Sequence, residues 1–285
     1  MKKTLLFLLL MITACAPAKT ALPTVTPTHT QSPTPTAALT QTSTPVPNGP
    51  CDSPFLPLAT GSEWIYRVTT ESGESLFTLK ALNRDDGRNK VIKVEFFDQK
   101  NDDTVLEPVI CMDGAIENFP LFVMDMHFSN YLVNNFNTYH DTGIYAPSYQ
   151  TLVENNWSMA WEMKYLTEDY VNIRNPMGGS DLVVVQSSFI DLSFETDGTR
   201  EVVTVPAGSY SHALKVRHSI SFPVTLTLPT GGTGGVLTLN TTQWVVPYVG
   251  LVRAQVDKAF LSVNQQEVTI PVVNIIELVG FNAGE

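Results

Sequence analysis

Leu214-Lys215-Val216-Arg217-His218-Ser219-Ile220-Ser221-Phe222 decides the fold class. Leu214, Val216, His218, Ile220 and Phe222 fall on one side of an extended chain, and Lys215, Arg217, Ser219 and Ser221 on the other. Successive Cβ atoms of a strand point to opposite faces, so a period of two marks a β-strand with one buried face. The same alternation recurs. Trp64, Tyr66 and Val68 oppose Arg67 and Thr69. Ile92, Val94 and Phe96 oppose Lys93 and Glu95. Val252, Ala254 and Val256 oppose Arg253, Gln255 and Asp257. Turn signals separate these runs at Asp85-Asp86-Gly87 and Asp197-Gly198, and Gly231 to Gly235 reads as a flexible hairpin loop. Val183-Val184-Val185 and Val272 to Val279 read as more fully buried strands. The pattern predicts roughly ten to twelve strands. Helix is hinted at only in 117–138, where Phe122, Met126, Asn130 and Val133 approach helical spacing, against Pro120 and the β-favouring aromatics. The expected class is all-β and mainly antiparallel, as a curved sheet, half-barrel or sandwich, with at most one or two short helices.

Outward from these strands, the N-terminus has a different character. Met1-Lys2-Lys3 is followed by an apolar run from Leu5 to Ile12, too short to span a bilayer and suited to a signal peptide. It ends Ile12-Thr13-Ala14-Cys15, which resembles the bacterial lipobox: an aliphatic residue, two small residues, then cysteine. The resemblance implies a diacylglyceryl thioether on Cys15 and cleavage between Ala14 and Cys15, so that 1–14 is a lipoprotein signal peptide. Two acyl chains of about 30 methylenes, at ~0.8 kcal/mol each, would make the anchorage effectively permanent. Residues 16–50 hold ten Thr, eight Pro and one charge, Lys19. With few apolar side chains to offset chain entropy, 15–50 is expected to be a disordered tether biased toward polyproline II. The remainder, 51–285, is expected to be a single β-rich extracytoplasmic domain. These features predict an exported protein, lipid-anchored at the cell membrane or cell surface, with the membrane as its partner through Cys15.

All 28 Asp and Glu lie in 51–285 with 14 of the 17 Lys and Arg, a net charge of −14 for that region. No basic cluster exists to neutralise phosphates, which argues against nucleic acid and against docking the domain on anionic lipid. Cys51 and Cys111 remain after Cys15. In an oxidising compartment they are expected to form a disulfide, two reduced thiols being the alternative. Closing a loop of about 60 residues is worth ~4 kcal/mol on chain entropy. No histidine or third thiol lies near either in sequence, so no metal site is expected there.

Four further segments are familiar together. Cys51-Asp-Ser-Pro-Phe-Leu-Pro-Leu-Ala-Thr-Gly-Ser-Glu-Trp-Ile-Tyr66 resembles the opening of a group of uncharacterised bacterial lipoproteins that carry a lipobox and a Thr/Pro-rich tether. Val205-Pro-Ala-Gly-Ser-Tyr210, followed by Ala213-Leu-Lys-Val216, is similar to their VPAG…ALKV segment. Trp244-Val-Val-Pro-Tyr-Val-Gly-Leu-Val252 is similar to their W..P.VGLV segment, and Glu277-Leu278 to their closing EL. Tyr248 stands where the group has glycine, which predicts a tighter or differently set turn. The resemblance implies an exported β-rich domain and offers no catalytic residues to carry over. Structurally, Pro206-Ala207-Gly208 reads as a turn with Tyr210 anchoring its hairpin in the core, and Pro247 to Gly250 as a kink between strands.

Searches for chemistry along the chain return little. Gly-x-Ser-x-Gly, the P-loop pattern, His-Glu-x-x-His and Gly-x-Gly-x-x-Gly are all missing from the sequence. His212 and His218 share strand parity about 20 Å apart, too far for one ion, and His218 on an apolar face reads as a hydrogen-bonded core histidine. Asp98, Asn101, Asp102 and Asp103 read as a solvated hairpin tip rather than a calcium site. No cofactor is expected, and no catalysis. The one odd region is 119–149, rich in aromatics. Core packing is one reading of it; the other is a ligand-facing or lipid-facing lining, with Phe119, Phe122, Met124, Met126, Phe128, Tyr131 and Phe136 as candidate cavity-lining residues and Tyr139, Tyr145 and Tyr149 behind them. Polar residues interrupt them, which predicts a lid across one open end or face of the sheet. Three readings compete: a membrane-anchored binding or structural module without catalysis, a carrier or sensor of an apolar ligand or lipid in a half-barrel cavity, and a hydrolase with dispersed carboxylates. A filled interior favours the first. An apolar cavity of several hundred Å³ would favour the second. The ligand or protein partner is left open.

Overall fold

The alternation at 214–222 lies in the longest hairpin of a computed structural model that describes residues 51–71, 73–85, 91–98, 103–119, 138–167, 171–173, 182–184, 188–228 and 231–284. In chain order the elements are β1 (Asp52–Ser53), β2 (Leu56–Pro57), β3 (Glu63–Thr70), β4 (Gly73–Asp85), β5 (Val91–Asp98), β6 (Asp103–Met112), β7 (Ala115–Asn118), β8 (Thr138–Gly143), α1 (Tyr149–Glu154), β9 (Ser158–Thr167), β10 (Val171–Ile173), β11 (Leu182–Val184), β12 (Ser188–Asp197), β13 (Arg200–Val205), β14 (Gly208–Leu228), β15 (Gly231–Val246), β16 (Gly250–Val263), β17 (Gln266–Ile270) and β18 (Asn274–Asn282). These eighteen strands exceed the ten to twelve expected. The excess is largely in β1, β2, β10 and β11, two or three residues each, too short to show a period.

All strand pairings are antiparallel, as expected for the class. Sixteen strands form one sheet, whose main path runs β7-β6-β5-β4-β3-β18-β16-β15-β14-β12-β9-β8. Its two ends meet. Ile116 on β7 bridges Ala146, just past β8, where the Ile116 amide donates to the Ala146 carbonyl at 2.9 Å and the Tyr145 amide donates to the Ile116 carbonyl at 2.8 Å. The sheet is therefore a nearly closed, barrel-like curve. Closure pairs edge strands that would otherwise offer unpaired backbone groups to other chains.

The faces follow the sequence pattern where a strand is regular. Trp64, Tyr66 and Val68 are buried, as are Leu214, Val216, His218 and Ile220. β14 and β15 pair without interruption from Leu214↔Val245 to Leu228↔Gly231. That register corrects the reading of Gly231 to Gly235 as a loop. They are strand residues, held because β14 supplies partners along their whole length. Gly235 is needed for closeness, since a Cβ there would sit 2.9 Å from the Ser262 carbonyl oxygen on β16. Val272 to Val279 is corrected too. In β18 Ile276 and Leu278 are buried while Ile275 and Glu277 are partly exposed, and Val273 before it is 49% exposed, so one face is solvated. In β16, Val252 and Ala254 face inward as expected. The chain then bulges between Asn240/Thr241 and their partners, Asp257 and Lys258 are exposed, and Ala259 and Leu261 become the buried residues.

Helix is found elsewhere than the pattern suggested. Residues 115–118 are strand, and 120–137 lie outside the described residues. The described helix is α1, in a stretch where the pattern marked none. Its signal was Ser148, whose hydroxyl caps α1 by accepting from the Thr151 amide at 3.2 Å. The segment 51–58 ties the barrel together. Cys51 is bonded to Cys111 on β6, with Cα atoms 5.2 Å apart. The Ser53 hydroxyl donates to the Pro147 carbonyl at 2.8 Å, and Phe55, Leu56 and Leu58 join the core.

Candidate functional site

The segments that carry the sequence resemblance meet in space. The Trp64 indole donates to the Val249 carbonyl at 2.6 Å, and the Tyr66 hydroxyl to the Leu251 carbonyl at 3.0 Å. The Ala207 amide donates to the Leu278 carbonyl at 3.0 Å, and Arg67 pairs with Glu277 at 2.7 Å. Trp64 stacks on Phe281, and Tyr66, Phe77 and Phe96 form a ring ladder at 4.9 and 5.0 Å. Buried donors and acceptors matched in this way hold strands together. They read as framework, and burial pushes the Tyr66 and Tyr210 hydroxyls above their ordinary range, so both stay protonated. Tyr210 is buried as the turn reading required. Gly208 takes φ 145°, closing the β13–β14 turn.

A second aromatic stack crosses β9, β12 and β14. Trp161 lies parallel to Phe194 at 5.2 Å, and Phe194 lies over His218 at 4.5 Å. His218 is 4% exposed, with the Gln243 amide nitrogen 3.4 Å from its Nδ1. Burial lowers its pKa to about 3, so the ring is neutral at physiological pH. It is the core histidine that the pattern indicated. Beside this stack is a cavity of about 40 Å³, lined chiefly by Phe55, Tyr145, Trp161, Phe194, Val216 and Gln243.

A third group reaches the surface. Tyr149, at the start of α1, is 45% exposed. Its ring meets Trp157 edge-on at 6.3 Å and Tyr248 at 6.4 Å. Phe55 underlies Trp157 at 6.3 Å, and the Arg200 guanidinium lies over the same indole at 5.1 Å. Phe55 also lines the cavity, so the surface rings and the interior stack are continuous. Trp157 (φ 61°) and Tyr248 (φ 63°) are both left-handed, a conformation that costs a bulky residue roughly 1–2 kcal/mol. Local hydrogen bonds hold them there. The Trp157 amide donates to the Leu152 carbonyl at 2.7 Å as α1 ends, and the Tyr248 amide donates to the Pro54 carbonyl at 2.9 Å. Tyr248 thus holds a conformation that glycine takes without penalty. Gly250 beyond it has φ 94°, with the Trp64 indole nitrogen 3.4 Å from where a Cβ would stand.

Of the candidate cavity residues, Phe119 is described. It is buried, stacks on Tyr145 at 4.7 Å, and its carbonyl accepts from the Tyr165 hydroxyl. It does not line the cavity itself, whereas Tyr145 does. Phe122, Met124, Met126, Phe128, Tyr131 and Phe136 lie outside the described residues, as does Cys15, and with them the middle of the expected lid; of its described part, Thr138–Gly143 is strand β8, paired with β9 within the sheet rather than laid across it. Of the aspartate cluster, Asp98 and Asp103 pair across β5 and β6, while Asn101 and Asp102 lie outside the described residues. Among the described residues no group of three or more His, Cys, Asp or Glu could hold a metal ion, and no helix is long and apolar enough to cross a membrane. Outside the barrel, Glu201 accepts from the Trp244 indole at 2.8 Å and pairs with Lys215 at 3.4 Å. Its carboxyl is held below the usual range, first by the indole hydrogen bond. What the site offers is ring faces, one amide, a neutral imidazole and a guanidinium, which suit stacking and hydrogen bonding. Trp157 and Phe55 were not singled out from the pattern, and Tyr248 only for its turn, because nothing local links the three.

No protein family matches the chain, and no curated protein matches it. Two solved structures are similar to it. One is from Bacteroides fragilis, named for export and for a YmcC-like fold, with 14% identity, 81% of this chain and 100% of that chain covered, and a TM-score of 0.42. The other is from Parabacteroides distasonis, named as a lipoprotein, with 16% identity, 81% and 99% covered, and a TM-score of 0.44.

Proposed function

We propose that this chain is an exported lipoprotein, anchored in a membrane through Cys15, whose β-domain acts as a non-catalytic binding or structural module. The observation that carries the choice between module and carrier is the size of the cavity at the Trp161–Phe194 stack. At about 40 Å³ it has room for about three waters. Small-molecule pockets run roughly 300–1,000 Å³, so an acyl chain does not fit beside these rings. Leu58 and the Tyr66–Phe77–Phe96 ladder are buried in the core. Anchorage rests on the Ile12-Thr13-Ala14-Cys15 pattern and the Thr/Pro-rich stretch after it.

Two measurements test the reading. Cys15→Ala should move the protein out of the membrane fraction or stall its processing, and a processed variant still in the membrane fraction would place the anchor elsewhere. Native mass spectrometry of the extracted wild type should show the anchor lipid alone. A stoichiometric second lipid, lost on mild delipidation, would favour the carrier.

A further inference from the structure

We infer that the ledge formed by Tyr149, Tyr248 and Trp157 binds a neutral carbohydrate chain. The inference names a ligand class for the binding module proposed above and rests on that reading.

Three observations converge on Tyr149. Its ring is half exposed, as among the other described aromatics only those of Tyr139 and Phe189 are. Six non-glycine residues among those described have left-handed backbones, and the two with aromatic rings, Trp157 and Tyr248, are both in contact with Tyr149. Strain of this kind tends to cluster where a side chain must be held in place for a task. Trp157 is not itself the platform, because Arg200 covers the indole and Phe55 packs beneath it. Its ring meets Tyr149 edge-on and that of Tyr248 meets it at a tilt, so Tyr149 is a supported ring that stays half exposed to solvent.

The chemistry of the ledge selects the ligand. An aromatic face is electron-rich, and the C–H groups on one side of a pyranose ring are its natural complement. Sugar hydroxyls then need polar groups at the rim. Asn155 and Asn156 are exposed beside Trp157, and Arg200 lies over it. Charge excludes anionic polymers, because the region 51–285 carries −14. Geometry disfavours a proline-rich peptide. Inserting a pyrrolidine between two ring faces needs a gap of about 7 Å, two contacts of about 3.5 Å, and these rings already touch at 6.3 and 6.4 Å. The ligand lies over the ledge rather than between its rings.

The test uses the mature lipidated protein in a detergent without a sugar headgroup, titrated with cellotetraose, maltotetraose, chitotetraose, tetragalacturonate and decaproline while tryptophan fluorescence is followed. At least one neutral tetrasaccharide should bind saturably and the anionic one should not. Tyr149→Ala should weaken that binding about tenfold or more, and Tyr149→Phe should preserve it, because the ring face and not the hydroxyl is used. Tyr139→Ala, which removes a similarly exposed tyrosine on β8, should have no effect. No neutral binding up to about 10 mM, binding indifferent to Tyr149→Ala, or binding of decaproline alone would each overturn the ledge as a sugar site. Sugar cleaved during the titration would keep the site and overturn the non-catalytic reading. Lost sugar binding with membrane attachment intact would overturn the site alone.

Discussion

His218 shows how one residue can write a pH dependence into the fold. In the native state its ring is stacked under Phe194, and burial holds its pKa at about 3. In the unfolded chain it titrates near the ordinary histidine value of about 6.5. Between those limits the unfolded state binds a proton that the native state refuses. Stability is therefore complete above about pH 6.5 and falls as pH drops toward 3, by up to roughly 1.4 kcal/mol per pH unit. Asp197 and Glu201 act in a lower window. Hydrogen bonds from Thr199 and from Trp244, respectively, depress their pKa values, so their contribution is lost only as pH falls through and below the usual carboxylate range. Urea midpoints measured from pH 6.5 to 5 should fall for the wild type and stay nearly level for His218→Leu. Parallel slopes would mean that the imidazole is not held neutral in the native state.

At the scale of elements, the β14–β15 hairpin separates two glycines that look alike in sequence. Gly235 meets β16 so closely that a Cβ would stand 2.9 Å from the Ser262 carbonyl oxygen and 3.0 Å from a Val263 methyl. Gly234, one residue earlier, is exposed and would meet nothing within 4 Å. Gly235→Val should cost about 1–3 kcal/mol by overpacking against backbone that cannot yield. Gly234→Val should lie within about 0.5 kcal/mol of wild type. Thermal melts of the two variants decide it, and equal losses would show that close approach is not what Gly235 provides.

For the whole molecule, the decisive connections are long-range. The Cys51–Cys111 bond spans 60 residues and ties the segment entering the barrel to β6, near the end that leads into β7. The next strand, β7, closes the sheet through Ile116 and Ala146. Replacing both cysteines by serine frees the unfolded chain and should lower the unfolding free energy by ~4 kcal/mol. A urea midpoint unchanged in the double variant would mean that the 51–58 segment is held by packing and hydrogen bonds alone.

The sequence by itself determined which faces of the regular strands are buried, because side-chain alternation is a property of the extended backbone and needs no partner. That is why Trp64, Tyr66, Leu214, Val216 and Ile220 were legible, and why cysteine count and compartment sufficed for the Cys51–Cys111 pair. It did not determine where alternation breaks. The bulges opposite Asn240/Thr241 and Trp244/Val245 shift β16 twice, so Leu251, then Val252 and Ala254, then Ala259 and Leu261 face inward. A bulge is set by the register of two neighbouring strands, and no window of one strand contains that information. The same limit hid the ledge. Tyr149 and Tyr248 are brought together only when 51–58 docks against both approaches, through the Ser53–Pro147 and Pro54–Tyr248 hydrogen bonds. Those contacts join residues about a hundred and about two hundred positions apart, and only the folded chain places them within reach of one another.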